Sequence, residues 1–329
     1  MTYKIEGGIN MIKIMADSTC DLSKDIVEKY NIGVSPLNII IEGKSYKDKV
    51  DIQPDEFYKI QKTLDKHPTT SMPSPEEYLK IIDKAVEEGN TEILCICMSS
   101  GTSGSYQSAV IAKDYYFENN KDSNIKIHVV DSLSMSHGSG WLIMKSAKLL
   151  EKGYSFKELI DFNENYKTKV KHFLCVDDLD NLIKSGRLTN ASALIGKILR
   201  IKPIMSMKKG KGAIVAKVRG MKKALNYYVE EFIRRVDKDI TDFIIIGYTT
   251  DMTRANDLKD KIEKETDFDG DIYIMQMGTA VGTHVGAGGL SMFFIEKGKM
   301  KDGLVKNEIR SLREKRKDIM KNSFIHNKK

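Results

Sequence analysis

The chain has 329 residues, of which 41% are hydrophobic and 30% charged, with only 6 Pro. Its length exceeds the ~100 to 200 residues of an ordinary domain and predicts two, and the composition excludes a disordered or fibrous chain. The formal net charge is +7, but the last twenty residues hold eight Lys or Arg against Glu314 and Asp318, so the body is nearly neutral and offers no broad face for nucleic acid.

No apolar run approaches the ~18 to 20 residues of a bilayer-spanning helix, the longest being Phe243 to Tyr248 and Leu94 to Met98. The start MTYKIEGGIN lacks the basic, apolar and small-residue order of a secretory signal, so the expected location is cytoplasmic. Cys20, Cys95, Cys97 and Cys175 are spaced for neither a disulfide framework nor a zinc site, and reduced, buried thiols are expected.

In chain order, Ile12 to Ala16 predicts a short first strand, with Met11 just before it as an alternative start. A helix follows from a Ser23 N-cap to Tyr30, and Gly33 to Ile41 reads as one further strand. Phe57, Ile60 and Leu64 recur at helical spacing and predict an amphipathic helix over Pro54 to Leu64. Another, Glu76 to Glu88, stands behind the Pro73 and Pro75 turn. Glu92 to Met98 is a continuous apolar run of the kind buried on both faces of a parallel sheet, leading through SSGTSGS into a helix over Tyr106 to Asn119. Ile125 to Val130 repeats the pattern, ends in Asp131 and Ser132, and precedes a helix over Trp141 to Glu151. This alternation over residues 12 to 151 predicts a doubly wound, mainly parallel α/β domain whose ligand groups emerge at the carboxyl ends of its strands.

After a helix around Phe156 to Tyr166 the texture changes. Lys171 to Val176, Ile201 to Met207, Ile214 to Val218, Phe243 to Thr249, Ile272 to Met277 and Leu290 to Ile295 read as strands. Only some are separated by helices, notably Met221 to Val236 and Met252 to Glu265, which predicts an α+β domain with a mixed sheet. Residues 304 to 322 read as a basic terminal helix, so the expected divisions are 1–155, 156–303 and 304–329.

Ser99, Ser100, Gly101, Thr102, Ser103 and Gly104 follow a buried strand and precede a helix, which gathers N–H groups and hydroxyls into an anion site. An N-cap with spare serines is the plainer alternative. Neither the P-loop lysine nor a G-x-G-x-x-G spacing is present. Two prolines pre-position Thr70 and Ser71 in the loop TTSMPSP. Asp17, Ser18 and Asp21 have no His or Glu nearby, so a turn capping the helix at Ser23 is expected and a metal is not. His284 is set among glycines, where backbone can approach a ligand and an imidazole can hydrogen-bond or bear charge near an anion; a structural histidine is the alternative. His67, His128, His137, His172 and His326 have no such setting. Arg187 beside Gly186 and Arg219 beside Gly220 sit in polar strand-to-helix turns, where a surface ion pair is the ordinary role. No G-x-S-x-G elbow supports a serine hydrolase.

Asp17 to Leu22, Thr70 to Ser74, Ser99 to Ala109, Asp131-Ser132, Gly186-Arg187-Leu188, Ile201 to Ile204, Lys217 to Gly220 and Gly282 to Gly286 form one ordered set of motifs. In their order and spacing the chain resembles, from residue 12 to about 298, the DegV family of bacterial fatty-acid-binding proteins, which includes the FakB subunits of fatty acid kinase. The resemblance implies a two-domain DegV-like fold with one long-chain fatty acid buried between the domains, and no catalytic residue, metal or cofactor. It implies that Thr70, Ser71, Ser99 and Ser100 hold the carboxylate with His284 beside it, while Ser18, Gly101 and Gly286 support the pocket or its loops. Arg187 and Arg219 would meet a FakA-like kinase subunit that phosphorylates the bound fatty acid to acyl-phosphate. Nucleic acid is not among the implied partners, and a transient contact with a membrane surface would serve lipid exchange. The chain departs from the family pattern at Thr102 and Ser105, which replace a leucine and a threonine, and at Ala287, which replaces the proline of a His-x-Gly-Pro-Gly turn. The rival reading is an α/β enzyme acting on a small carboxylated or phosphorylated substrate at the same crevice, with His284 as acid or base.

Overall fold

The computed structural model describes residues 12–189, 201–298 and 302; the basic helix expected over 304–322 and the alternative start at Met11 lie outside them. The chain begins with β1 (Ile12–Asp17), a 3-10 turn (Ser18–Cys20), α1 (Lys24–Lys29), β2 (Gly33–Ser35), β3 (Asn38–Ile41) and β4 (Lys44–Lys47). Next come α2 (Pro54–Gln61), β5 (Thr69–Ser71), α3 (Pro75–Glu87), β6 (Glu92–Cys97), α4 (Ser105–Asn119), β7 (Lys126–Asp131), α5 (His137–Glu151) and α6 (Phe156–Tyr166). Then follow β8 (Val170–Cys175), α7 (Asp180–Lys184), β9 (Ile201–Lys208), β10 (Lys211–Arg219), α8 (Met221–Arg235) and β11 (Phe243–Tyr248). The last are α9 (Met252–Glu265), β12 (Asp271–Gln276), α10 (Thr279–Val285) and β13 (Leu290–Ile295).

By contact the chain divides into two units. The first takes the chain up to Gln53, Pro68–Thr168 and Gly278–Ala280; the second takes Pro54–His67, Lys169–Met277 and the chain from Val281 onward. The boundary therefore falls at Thr168 instead of residue 155. The helix α6 stays with the first unit because it packs on α5, β6 and β7, with Asn163 Nδ2 donating to Ser146 Oγ at 2.8 Å.

In the first unit four parallel strands are ordered β2-β1-β6-β7. Every residue of β6 is buried, as a central parallel strand requires. Its Ile93, Cys95 and Cys97 face Tyr78, Ile82, Ala109 and Ala112 of α3 and α4. The other face is covered by α5 and α6, and α5 is buried at every position from His137 to Ala147, the pattern of a helix enclosed all round. The single strand expected over Gly33 to Ile41 is broken into β2 and β3, since Pro36 has no N–H to give to a ladder. A second, antiparallel sheet of order β4-β3-β5 lies in the same unit. Glu42 and Gly43, both at positive φ, form its two-residue hairpin turn.

The second unit is a six-stranded mixed sheet, β10-β9-β8-β13-β11-β12, in which only β11 and β12 run parallel. One face packs Phe173, Ile244, Ile246 and Phe294 under Tyr228 and Phe232 of α8 and Leu258 and Ile262 of α9. The opposite face gathers Val176, Met205 and Ile214 against Leu182 of α7 and Val285 of α10. Among the described residues no helix is long and apolar enough to cross a membrane.

Candidate functional site

In the first unit the residues singled out from the sequence lie on loops at the carboxyl ends of β1, β6 and β7 and on β5. Asp17, the last residue of β1, is buried and turns back on the chain. It accepts the N–H of Thr19 at 3.1 Å, the N–H of Met98 at 2.9 Å and the Thr19 hydroxyl. It thus caps the 3-10 turn, whereas the expected cap of α1, Ser23, makes no side-chain bond to the helix. Burial raises the Asp17 pKa despite these donors. Ser18 is equally committed, donating to Asp48 Oδ2 at 2.7 Å and accepting from Leu37 N at 3.1 Å, so its place is in support of the loop. Among the described residues no group of three or more His, Cys, Asp or Glu could hold a metal ion.

The loop after β6 closes on itself. Ser99, fully buried, gives its N–H to Ser134 O at 2.8 Å, and its carbonyl takes the N–H groups of Thr102 at 3.0 Å and Ser103 at 3.2 Å. Its hydroxyl accepts Gly101 N at 3.2 Å. Ser100 is exposed and gives both its N–H (3.1 Å) and its hydroxyl (2.5 Å) to Asp131 at the end of β7. The N–H groups of residues 99 to 103 and the Ser100 hydroxyl are therefore engaged by protein acceptors, and the Asp131 carboxylate opposes an anion at Ser100.

Thr70 and Ser71 stand on opposite faces of one strand. In β5 Thr70 pairs with Ile39 and Ser71 with Asn38. Cross-strand partners share a face, and neighbours along a strand point to opposite faces. Thr70 is therefore half-buried on the face of the buried Ile39, while Ser71 is exposed on the other, where Asn38 Nδ2 donates to its hydroxyl at 3.4 Å. Of the two, Thr70 has the inward position.

In the second unit His284 stands in the last turn of α10, where the sequence predicts a glycine loop. A glycine is required at 282 because Tyr58 of α2 crosses there: a Cβ on Gly282 would lie 2.4 Å from Tyr58 Oη, which donates to Met277 O at 3.0 Å. Past the helix the glycines admit protein groups. A Cβ on Gly286 would meet Asn181 Nδ2 at 2.3 Å, and one on Gly288 would meet Asp177 Oδ2 at 2.3 Å; both residues are at positive φ. The loop is held without the family's proline, by Gly288 N donating to Thr250 Oγ1 at 3.1 Å and Gly289 N donating to Thr249 Oγ1 at 2.8 Å.

Burial drives the His284 imidazole down to about 3, and the charges of Arg187 and His67 push it the same way. The ring is neutral at pH 7 and offers a hydrogen bond in place of a charge. Arg187 supplies the cation: it is half-buried, donates through Nη1 to Ser185 O at 2.5 Å, and lies within electrostatic reach of the ring. It follows α7, so its turn is not the expected strand-to-helix one, and it joins His284 within this unit. Arg219 is different, being exposed at the end of β10 opposite Ile201. His137, given no role by its sequence setting, is fully buried beside Asp21, whose Oδ2 takes the Ser136 hydroxyl at 2.6 Å. No spacing rule marks it, because its neighbour Ser136 reaches Asp21 across 115 positions.

A family model described as an uncharacterised protein of the DegV family matches residues 11–297. The chain belongs to the DegV family. A DegV domain-containing protein of Clostridium acetobutylicum is 39% identical over 290 residues, 87% of this chain and 99% of that protein. A solved DegV family protein from Thermus thermophilus, described for its fatty acid binding, matches with TM-score 0.77 at 26% identity over 87% of this chain and 99% of that one. The Streptococcus pneumoniae fatty acid kinase B3 protein, loaded with linoleic acid, matches with TM-score 0.74 at 26% identity and the same coverage of the two chains. The fold of one parallel and one mixed sheet is that of these two-domain DegV structures.

The buried titrating groups give this DegV chain a definite acid response. Burial lowers His137, His172 and His284 to about 3 from 6.5, so each is protonated more readily in the unfolded chain and costs stability as pH falls through that window. Asp21, raised by burial to about 7 from 3.8, and Asp17, raised likewise, act in the opposite sense below neutrality. Each fully shifted group is worth about 1.4 kcal/mol per pH unit, so three histidines outweigh two aspartates. The urea midpoint is expected to fall from pH 6 to pH 5, below the unfolded histidine value of 6.5, and a midpoint that holds or rises there would show that the histidines are not held neutral.

Proposed function

We propose that this DegV chain binds one long-chain fatty acid and presents its carboxylate to a partner kinase for conversion to acyl-phosphate, itself contributing no catalytic residue. The observation that carries this reading is the likeness, over 87% of this chain and 99% of the other, to a fatty acid kinase B3 protein loaded with linoleic acid. Each unit by itself offers groups suited to a carboxylate: the Thr70 hydroxyl in the first, and the neutral His284 imidazole with the Arg187 guanidinium in the second. Ser99 and Gly101 hold the loop after β6 in shape. An acyl chain gains about 0.8 kcal/mol per buried methylene, so a 16-carbon chain brings roughly 11 kcal/mol before ordering costs, and the head group needs only to be satisfied.

The rival crevice enzyme asks His284 to act as an acid or base. A ring lowered to about 3 holds almost no proton at neutral pH and is too weak a base to take one effectively. Phosphoryl transfer needs ATP and a divalent metal, and in the proposed scheme both come with the partner. Mass spectrometry of an organic extract from natively purified protein tests the reading. About one fatty acid per chain is expected; no lipid in the extract, together with no uptake of added palmitate or oleate, overturns it.

A further inference from the structure

We propose that Asp21 and Asp48 are positioning residues for the head-group site, holding the Gly278-Thr279 turn and through it the helix whose last turn carries His284. The proposal rests on the fatty-acid reading of His284. Both carboxylates are buried at 1% exposure. Asp21 Oδ1 accepts Gly278 N at 2.8 Å, and its Oδ2 accepts the Ser136 hydroxyl at 2.6 Å. Asp48 Oδ1 accepts Thr279 N at 3.1 Å and the Thr279 hydroxyl, and its Oδ2 accepts Ser18 Oγ at 2.7 Å. Lys49 Nζ stands 3.8 Å from Asp21. Burying two acidic side chains costs more than an ordinary helix cap returns, so a role beyond capping is expected of the pair.

That role is to fix the direction of a short helix. The seven residues of α10 are too few to hold a helical axis by their own hydrogen bonds, so its two ends decide where it points. At the far end Gly286 N closes the last turn on Gly282 O at 2.8 Å. At the near end the two aspartates take consecutive N–H groups, and the fit is close: a Cβ on Gly278 would lie 2.7 Å from Asp21 Oδ1 and 2.8 Å from Lys49 Cε. His284 follows Thr279 by five residues, about 7.5 Å along the helix axis at ~1.5 Å per residue, so a tilt at the cap is carried to the ring.

The test compares Thr279→Val, Thr279→Ser, Ile262→Val and His284→Ala by oleate displacement of a fluorescent fatty acid and by NMR titration of the His284 ring. Thr279→Val is expected to weaken oleate about five- to tenfold and to move the His284 titration upward, with Thr279→Ser restoring both. Ile262→Val, a core change remote from the turn, is expected to bind normally although less stable. Wild-type affinity and ring titration in Thr279→Val, with His284→Ala weakened, overturn the positioning role alone; wild-type affinity in His284→Ala overturns the head-group reading as well. Amide exchange in the unmutated protein supplies an arm that needs no variant to fold: Gly278 and Thr279 must be strongly protected, and exchange at the rate of an exposed loop overturns the latch.

Discussion

Thr70→Val is expected to weaken binding of palmitate or oleate by about ten- to hundredfold, the loss of one hydrogen bond to a charged group at ~1.5 to 3 kcal/mol. The substitution keeps the shape and β-branching that suit a strand position paired with Ile39, so the fold is expected to survive. Ser71→Ala supplies the contrast. Its hydroxyl lies on the opposite face of the same strand, so its removal is expected to change affinity less than about threefold. Titration of both variants with a fluorescent fatty acid decides the matter, and an unchanged affinity in Thr70→Val would mean that the carboxylate does not use the Thr70 hydroxyl. Ser100→Ala is expected to be the milder change in the loop after β6, since its hydroxyl already serves Asp131.

Arg219→Ala is expected to leave fatty acid binding and thermal stability nearly unchanged while lowering partner-dependent acyl-phosphate formation at least about tenfold, ~1.4 kcal/mol in the transition state. The side chain is exposed at the end of β10, where truncation removes little buried surface and the β9-β10 ladder is made by backbone. A cation so placed can meet an acidic partner surface or the transferred phosphoryl group. Arg187→Ala is expected to behave otherwise, lowering both binding and coupled turnover, because that guanidinium lies within electrostatic reach of His284. Full coupled activity in Arg219→Ala, or ATP turnover by the isolated wild-type chain, would remove the carrier reading.

Local pattern alone made the architecture legible. The apolar run of β6, the helices behind it and the six strands of the second unit follow from periodicity, since a strand buried on both faces must be apolar throughout and a half-buried helix must repeat every three to four residues. The family motifs were legible for the same reason, each being a short stretch read along the chain. Where two local rules competed, the sequence misled. Glycines on either side of His284 argued for a loop, but Tyr58 fills the space that a side chain on Gly282 would need, and the segment is helical. The strand β4 carries no apolar alternation, and only the Glu42-Gly43 pair before it marks a hairpin.

Pattern along the chain therefore accounts for the strands of the parallel and mixed sheets, the longer helices and the family motifs, but not for β4, β5, α7 or α10. The use made of each residue depends on contacts between distant segments. Pairing register put Thr70 and Ser71 on opposite faces. Packing between strands made Asp131 the partner of Ser100. Burial took the charge from His284, and contacts across more than 200 positions brought Asp21 and Asp48 to the turn that starts its helix. The physical reason is one of range: hydrophobic period and turn chemistry act over a few residues, whereas desolvation and hydrogen-bond partnership depend on which distant segment folds against the group.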